Sequence, residues 1–132
     1  TETSSSTINE INPQSKYYKK KSFLMSENSK KSYLELETNQ IKLSDYIDKK
    51  NLYKIDFLKV DTEGYEYNVL KGLGTKLSAV SLIMFEHHYD DMLKKNYSFR
   101  DIHQLLISNN FKQIYKYKMS FRKTFEYIYE KK

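Results

Sequence analysis

The sequence predicts an α/β fold in which two parallel strands are joined by a helix and the chain closes in an antiparallel hairpin. Three observations carry that expectation. Residues 55–60, Ile-Asp-Phe-Leu-Lys-Val, are a short run rich in large apolar residues. The acidic turn Asp61-Thr62-Glu63-Gly64 follows at once, and then Tyr65, Val69, Leu70 and Leu73 recur at helical spacing. A second run of the same kind, Val-Ser-Leu-Ile-Met-Phe at 80–85, ends in Glu86-His87-His88. Residues 111–119 and 124–130 alternate in character on either side of a short link at 120–123, the mark of a hairpin.

The first apolar run reads as a strand buried on both faces of a parallel sheet. Its polar end then lies at the rim where open α/β sheets bind ligands, outside the carboxyl ends of their strands. Asp61 and Glu63 are the candidates there, and a carboxylate closing a buried strand needs a partner to offset its desolvation. A structural reading stands beside this one: Thr62 as a helix N-cap, with Glu63 and Glu66 as first-turn acids favoured by the helix dipole. Lys59, two residues before Asp61 on a buried strand, is expected to pair with a carboxylate such as Glu63. Right-handed crossover makes the two apolar strands parallel, so Asp61 and Glu86 become neighbours at one edge.

Upstream of that unit, residues 1–32 are dominated by Ser, Asn, Lys and Thr, with Pro13 among them, and read as a loop, poorly ordered or acting as a lid. Phe23-Leu24-Met25 is the one candidate short strand in it. Residues 33–43 show strand alternation, Leu34 and Leu36 against Glu35 and Glu37, with a slip near Asn39 that a bulge would explain. Ser44 reads as the N-cap of a short helix reaching about Lys50, with Tyr46 and Ile47 facing inward and Asn51 ending it. Gly72 and Gly74 are expected to close the helix after the acidic turn with left-handed backbone.

Downstream, Ser98 with Asp101 three residues later begins the clearest helix, 98–110, with Phe99, Ile102, Leu105 and Leu106 on one face and Asn109-Asn110 at its end. His103 falls on its exposed side. Adjacent residues of a strand point to opposite faces, so His87 and His88 are expected to be one packed and one exposed. In the hairpin, Tyr115, Tyr117 and Met119 share one side of the first strand and Phe125, Tyr127 and Tyr129 one side of the second, as cross-strand packing.

With 132 residues, the chain suits one small domain or a piece of a larger one. Its charged residues make up 30% and its mean hydropathy is -0.80, so the core rests largely on 13 Tyr and 7 Phe. The net charge of +6 is mostly Lys spread along the chain, apart from Lys16, Lys19, Lys20 and Lys21 around Tyr17 and Tyr18, which read as a solvated loop. The absence of Cys excludes a disulfide framework and a thiolate metal site, and fits a reducing, cytoplasmic location. There is no apolar run of about 20 residues to span a membrane and no signal-peptide pattern. Because it begins with Thr1, the chain is expected to be a fragment or a processed product. Its three glycines, Gly64, Gly72 and Gly74, cannot supply a G-x-G-x-x-G phosphate loop.

The run Ile55-Asp56-Phe57-Leu58-Lys59-Val60-Asp61-Thr62-Glu63-Gly64-Tyr65-Glu66, followed by Val69-Leu70-Lys71-Gly72, resembles the signature of the FkbM family of S-adenosylmethionine-dependent methyltransferases. Leu43-Ser44-Asp45 is similar to that family's Thr-Leu-Asp segment, Ile83-Met84-Phe85-Glu86 to its strand ending in Glu, and Ser4-Ser5-Ser6 to its upstream serines. The likeness is most convincing over residues 41–111.

This resemblance implies the C-terminal part of a Rossmann-like class I methyltransferase domain, with 55–61 as its fourth strand, 80–86 as its fifth, and a terminal hairpin of which one strand runs against the rest. Residues 1–132 are then a single partial domain whose cofactor-binding N-terminal half, with its Gly-rich loop, lies before Thr1, and the isolated chain is expected to give no methyl transfer. The implied activity is O-methyl transfer to a hydroxyl of a small molecule or sugar, with Asp61 and Glu86 as catalytic carboxylates and Glu63 and His87 at the substrate. Cofactor-binding residues are not identifiable. Two other readings of the residues stay open. A metal-dependent hydrolase or nuclease would use Asp61, Glu63 and Glu86 with His87, and a divalent ion could also serve the methyltransferase. A basic, Tyr-rich nucleic-acid-binding module is disfavoured, because the signal sits in the acidic turn and not in the basic segments.

Overall fold

Four strands, β1 (Ile55–Val60), β2 (Val80–His88), β3 (Phe111–Lys118) and β4 (Thr124–Lys131), make one sheet in the order β1-β2-β4-β3. The structure, a computed structural model, describes residues 7–25, 36–120 and 122–132. β1 and β2 are parallel, while β4 is antiparallel to both β2 and β3, so β4 alone runs against the rest. The expected βαβ unit is present: β1 leads through the acidic turn into α3 (Glu66–Gly72), a 3-10 turn (Gly74–Ala79) and β2.

The core forms between one sheet face and the helices. Leu70 and Leu73, Leu77 of the 3-10 turn, and Ile102 and Leu106 of α4 (Phe99–Ser108) pack with Val60, Ile83, Phe85, Tyr127 and Tyr129. Phe85 stacks on Tyr127 at 5.5 Å and on Tyr129 at 5.8 Å, and Phe99 on Tyr127 at 4.3 Å, so the β4 aromatics are packing as expected. Tyr115 and Tyr117 of β3, each 48% exposed, are not, because a register shift between Gln113 and Tyr115 sets them opposite Ile128 and Glu126. α4 begins with the expected capping box, in which the Ser98 N–H donates to Asp101 Oδ2 at 2.7 Å. Asn110 ends it in left-handed backbone with φ 63°.

Several expectations are corrected. β1 is an edge strand, paired only with β2 among the described residues, and its Phe57 is 50% exposed. Burial on both faces needs cover above and below as well as flanking strands; the open face carrying Phe57, Leu82, Met84 and Ile128 has no such cover among the described residues. Residues 36–42 are exposed and join no ladder, so the alternation there marks no strand, and Tyr33, Leu34 and Glu35 lie outside the described residues, as do Ser4, Ser5 and Ser6. The Lys-rich stretch is helix α1 (Lys16–Met25), neither loop nor strand at 23–25. Ser15 explains it: its Oγ accepts the Tyr18 N–H at 3.3 Å and donates to Asp91 at 2.7 Å, an N-cap fixed by a residue far along the chain.

At α2 (Leu43–Lys49) the N-cap position is Lys42, so Ser44 lies inside the helix; Ile47 is buried but Tyr46 is 41% exposed. Asn51, with φ 53°, stops it as expected. Of Gly72 and Gly74, the second alone adopts left-handed backbone, φ +53°, because Gly72 is still helical and Leu73 continues into the 3-10 turn. β2 runs through Glu86, His87 and His88, since its pairing with β4 continues to His88↔Thr124 after the pairing with β1 has ended at Val60↔Phe85. Both histidines are therefore buried, one against each face. His103 is half-buried, its Nδ1 lying 2.7 Å from the Tyr129 hydroxyl.

Candidate active site

The parallel register decides the site. Val60 pairs with Phe85, so Asp61 and Glu86 are the next residues of two adjacent strands and reach the same edge of the sheet, as the sequence predicts. Their proximity is felt electrostatically: burial raises the Glu86 pKa, and the Asp61 carboxylate raises it further, with smaller contributions of the same sign from Glu126 and Glu63 and an opposing one from His88. Glu126 stands directly opposite Glu86 across β2 and β4. Lys59 pairs with Asp61 at 3.0 Å and not with Glu63; both partners are half-exposed, so neither is the buried charge that the strand pattern implied.

The turn between β1 and α3 is bent by two residues of positive φ, Glu63 at 47° and Gly64 at 93°. A side chain at Gly64 has no room, because a Cβ there would meet Asn9 Nδ2 at 2.8 Å and Leu93 Cδ1 at 3.0 Å. The carboxylate that holds this turn is Glu66, 1% exposed. Its Oε1 accepts the Gly64 N–H at 2.8 Å and the Thr62 hydroxyl at 3.2 Å, and its Oε2 accepts the Tyr97 hydroxyl at 2.7 Å. Thr62 thus bonds to a first-turn acid and does not cap the helix, whose N-cap position is Tyr65. Burial, with the Glu66 charge beside it, pushes the Tyr97 hydroxyl far up.

Glu63 turns toward His88, whose Nε2 lies 3.2 Å from Glu63 Oε2. His88 Nδ1 is 3.1 Å from Thr124 Oγ1, and Asp90 Oδ2 is an electrostatic neighbour at 3.9 Å. Burial disfavours the His88 charge, yet the carboxylates of Asp90 and Glu63 outweigh it and raise the pKa to about 9. His87 points to the opposite, helix-covered face, edge-on to Tyr89 at 4.7 Å and near Phe99 at 5.9 Å. Burial, with Lys95 and His88 as nearby positive charges, lowers its pKa to about 4. The structure therefore brings Asp61, Glu86 and Glu63 to one mouth and leaves His87 behind the sheet. Among the described residues no three His, Asp or Glu side chains come together as a metal-ligand set.

Sequence reasoning missed the part played by Glu66, and did not single out Tyr97, Asp90 or Glu126. Hairpin parity could have found Glu126, which alternates with the core residues Phe125 and Tyr127. No local signal marks Tyr97, which meets Glu66 across 31 positions.

The two histidines predict a stability maximum. His88 rises from 6.5 to about 9 on folding, so the stability its charge contributes is complete below pH 6.5 and is lost as the pH climbs to about 9. His87 falls from 6.5 to about 4, so stability is lost as the pH drops from 6.5 toward 4. Urea midpoints are expected to peak near pH 6.5, with His88→Gln flattening the alkaline limb and His87→Phe the acid limb, each on the order of 1–3 kcal/mol. A limb that keeps its slope in the matching variant would rule out that histidine as its cause.

No helix among the described residues is long and apolar enough to cross a membrane. No curated protein and no solved structure matches the chain. A family model described as Methyltransferase FkbM domain matches residues 2–118, a span that takes in the acidic turn, Glu86 and the whole of α4. On a match of that length the chain belongs to the FkbM methyltransferase family.

Proposed function

We propose that the chain forms the acceptor side of an S-adenosylmethionine-dependent O-methyltransferase of Rossmann-like class I fold, acting on a hydroxyl of a small molecule or sugar. One observation carries the reading: the Val60↔Phe85 register, which sets Asp61 and Glu86 side by side at the strand ends. The sheet order with β4 alone reversed supports the class I assignment. S-adenosylmethionine supplies the methyl group in this family. The described residues do not make a cradle for it, because Gly64 sits in a turn already filled by Asn9 and Leu93, and Gly74 follows a helix.

What these residues do concerns the acceptor. Asp61, half-exposed with the Lys59 ammonium 3.0 Å away, takes the hydroxyl proton as the oxygen becomes a nucleophile. Glu86 orients the same hydroxyl, its pKa raised by burial and by the Asp61 carboxylate beside it. Glu63 borders the mouth, held by His88. The test is transfer of a labelled methyl group from S-adenosylmethionine to a panel of hydroxyl acceptors, using the polypeptide expressed from its whole gene. Labelled methyl ether is expected, with kcat in Asp61→Asn lowered about a hundredfold and KM little changed. No labelled ether from any acceptor, or undiminished turnover in Asp61→Asn, overturns the proposal.

A further inference from the structure

We propose that Glu126 is a positioning residue of the mouth, sharing one proton with Glu86 across the sheet, so that Glu86 meets the acceptor hydroxyl as a hydrogen-bond donor and Asp61 alone accepts the hydroxyl proton. The acceptor's part in this rests on the methyl-transfer reading, while the shared proton rests on strand register and the placing of charge.

Glu86 and Glu126 are Cα partners in the antiparallel ladder of β2 and β4, so their side chains leave the same face of the sheet with Cβ atoms about 4.5–5.5 Å apart. Alternation puts them on the open face, the face of the partners Met84 and Ile128, while Phe85 and Tyr127 turn into the core. Both glutamates are half-buried.

The cations of this edge are committed elsewhere. Lys59 pairs with Asp61, and His88 with Glu63 and Asp90; among the described residues neither Glu86 nor Glu126 enters an ion pair. The charged groups that bear on Glu86 are Asp61 of β1, Glu63 of the acidic turn, His88 of its own strand and Glu126 of β4, with the Lys59 ammonium near enough to feel both glutamates. On the far side of Glu126 its partner is Tyr117 of β3. Two like charges opposed on a half-buried face repel. One proton held between them replaces that repulsion with a charge-assisted hydrogen bond. Electrostatics agree in sign: burial raises the Glu86 pKa, and Asp61 and Glu126 raise it further against His88.

A hydroxyl has one proton to donate and two lone pairs. Beside two ionised carboxylates that proton has two competing acceptors, and nothing fixes its direction. Beside Asp61 and a Glu86 that carries the shared proton, the hydroxyl donates to the first, accepts from the second and keeps one lone pair for the methyl carbon. Its proton passes to Asp61 as the oxygen bonds to that carbon and the carbon–sulfur bond breaks with its electrons left on sulfur. The glutamate pair neither gains nor loses a proton.

The polypeptide expressed from its whole gene is labelled with 13C at the glutamate side-chain carboxyl, and the Glu86 signal, identified by its loss in Glu86→Gln, is followed as the pH is raised. In the wild type it is expected to titrate in two steps, the upper one above the ordinary glutamate value of 4.5. In Glu126→Gln the upper step is expected to vanish and the midpoint to fall by about one pH unit or more, and in Glu126→Asp two steps to return. The limb of kcat/KM that falls with rising pH is expected to move down by the same amount in Glu126→Gln. A wild-type Glu86 signal that titrates in one step overturns the shared proton without any variant, and so does an unmoved midpoint in folded Glu126→Gln. An unmoved limb beside a moved midpoint overturns the positioning role. Methyl transfer to no acceptor removes the proposed function and the positioning role with it, while a two-step Glu86 titration still upholds the shared proton.

Discussion

Replacing Glu66 by alanine is expected to destabilise the protein by about 4 kcal/mol, the sum of two enclosed donors left unpaired and the void left by the side chain. Glu66 is 1% exposed, and the donors it satisfies are the Gly64 N–H and the Tyr97 hydroxyl, with the Thr62 hydroxyl as a third. Thr62 can rotate toward water; the Gly64 N–H cannot, because the backbone on either side is fixed by positive φ at Glu63 and Gly64. Glu66→Gln should cost about half as much, since one amide oxygen remains to accept while the NH2 faces donors. A double cycle of Glu66→Gln with Tyr97→Phe then reads the coupling of the two side chains, expected to be about 1 kcal/mol or more. Equilibrium urea unfolding is the measurement, and a loss below ~1 kcal/mol in Glu66→Ala would show that the turn does not depend on this carboxylate. The same variant bears on activity, because Asp61 leaves β1 through that turn.

Phe85→Ala should cost a comparable amount, about 3–5 kcal/mol, for a different reason. Phe85 is fully buried, stacked on Tyr127 and Tyr129, and sits where β2 pairs with both β1 and β4. Removing its ring opens a cavity between strands that a sheet cannot close without breaking register. Phe85→Leu keeps most of the volume and is expected to cost less than about 1.5 kcal/mol. Thermal or urea unfolding separates the two; equal losses would mean that stacking geometry and not volume governs the site. Because Phe85 immediately precedes Glu86, the alanine variant should also disturb the mouth that Asp61 and Glu86 share.

Much of this architecture could be read from local pattern. The apolar runs at 55–60 and 80–85, the capping box at Ser98 and the alternation of the last two strands are signals that neighbouring residues generate by themselves. Parallel pairing of the two runs then brings Asp61 and Glu86 together through strand geometry alone. Where the reading failed, a distant contact had the last word. Helix α1 owes its start to Ser15, which bonds to Asp91, 76 positions away. The alternation at 36–42 found no neighbouring strand to pair with. Lys59 lies on an edge and so was free to pair with Asp61 in partial solvent.

The chain's own order of residues determined that a strand, an acidic turn and a helix follow one another, which family this signature denotes, and that two carboxyl groups reach one edge. Tertiary structure alone decided that Glu66 and not Asp61 is the enclosed acid, that Glu63 faces His88, and that His87 turns away from the mouth. The physical reason is that backbone pattern is set by interactions over a few residues, whereas the burial and charge of an ionisable side chain depend on whatever distant segment is packed against it.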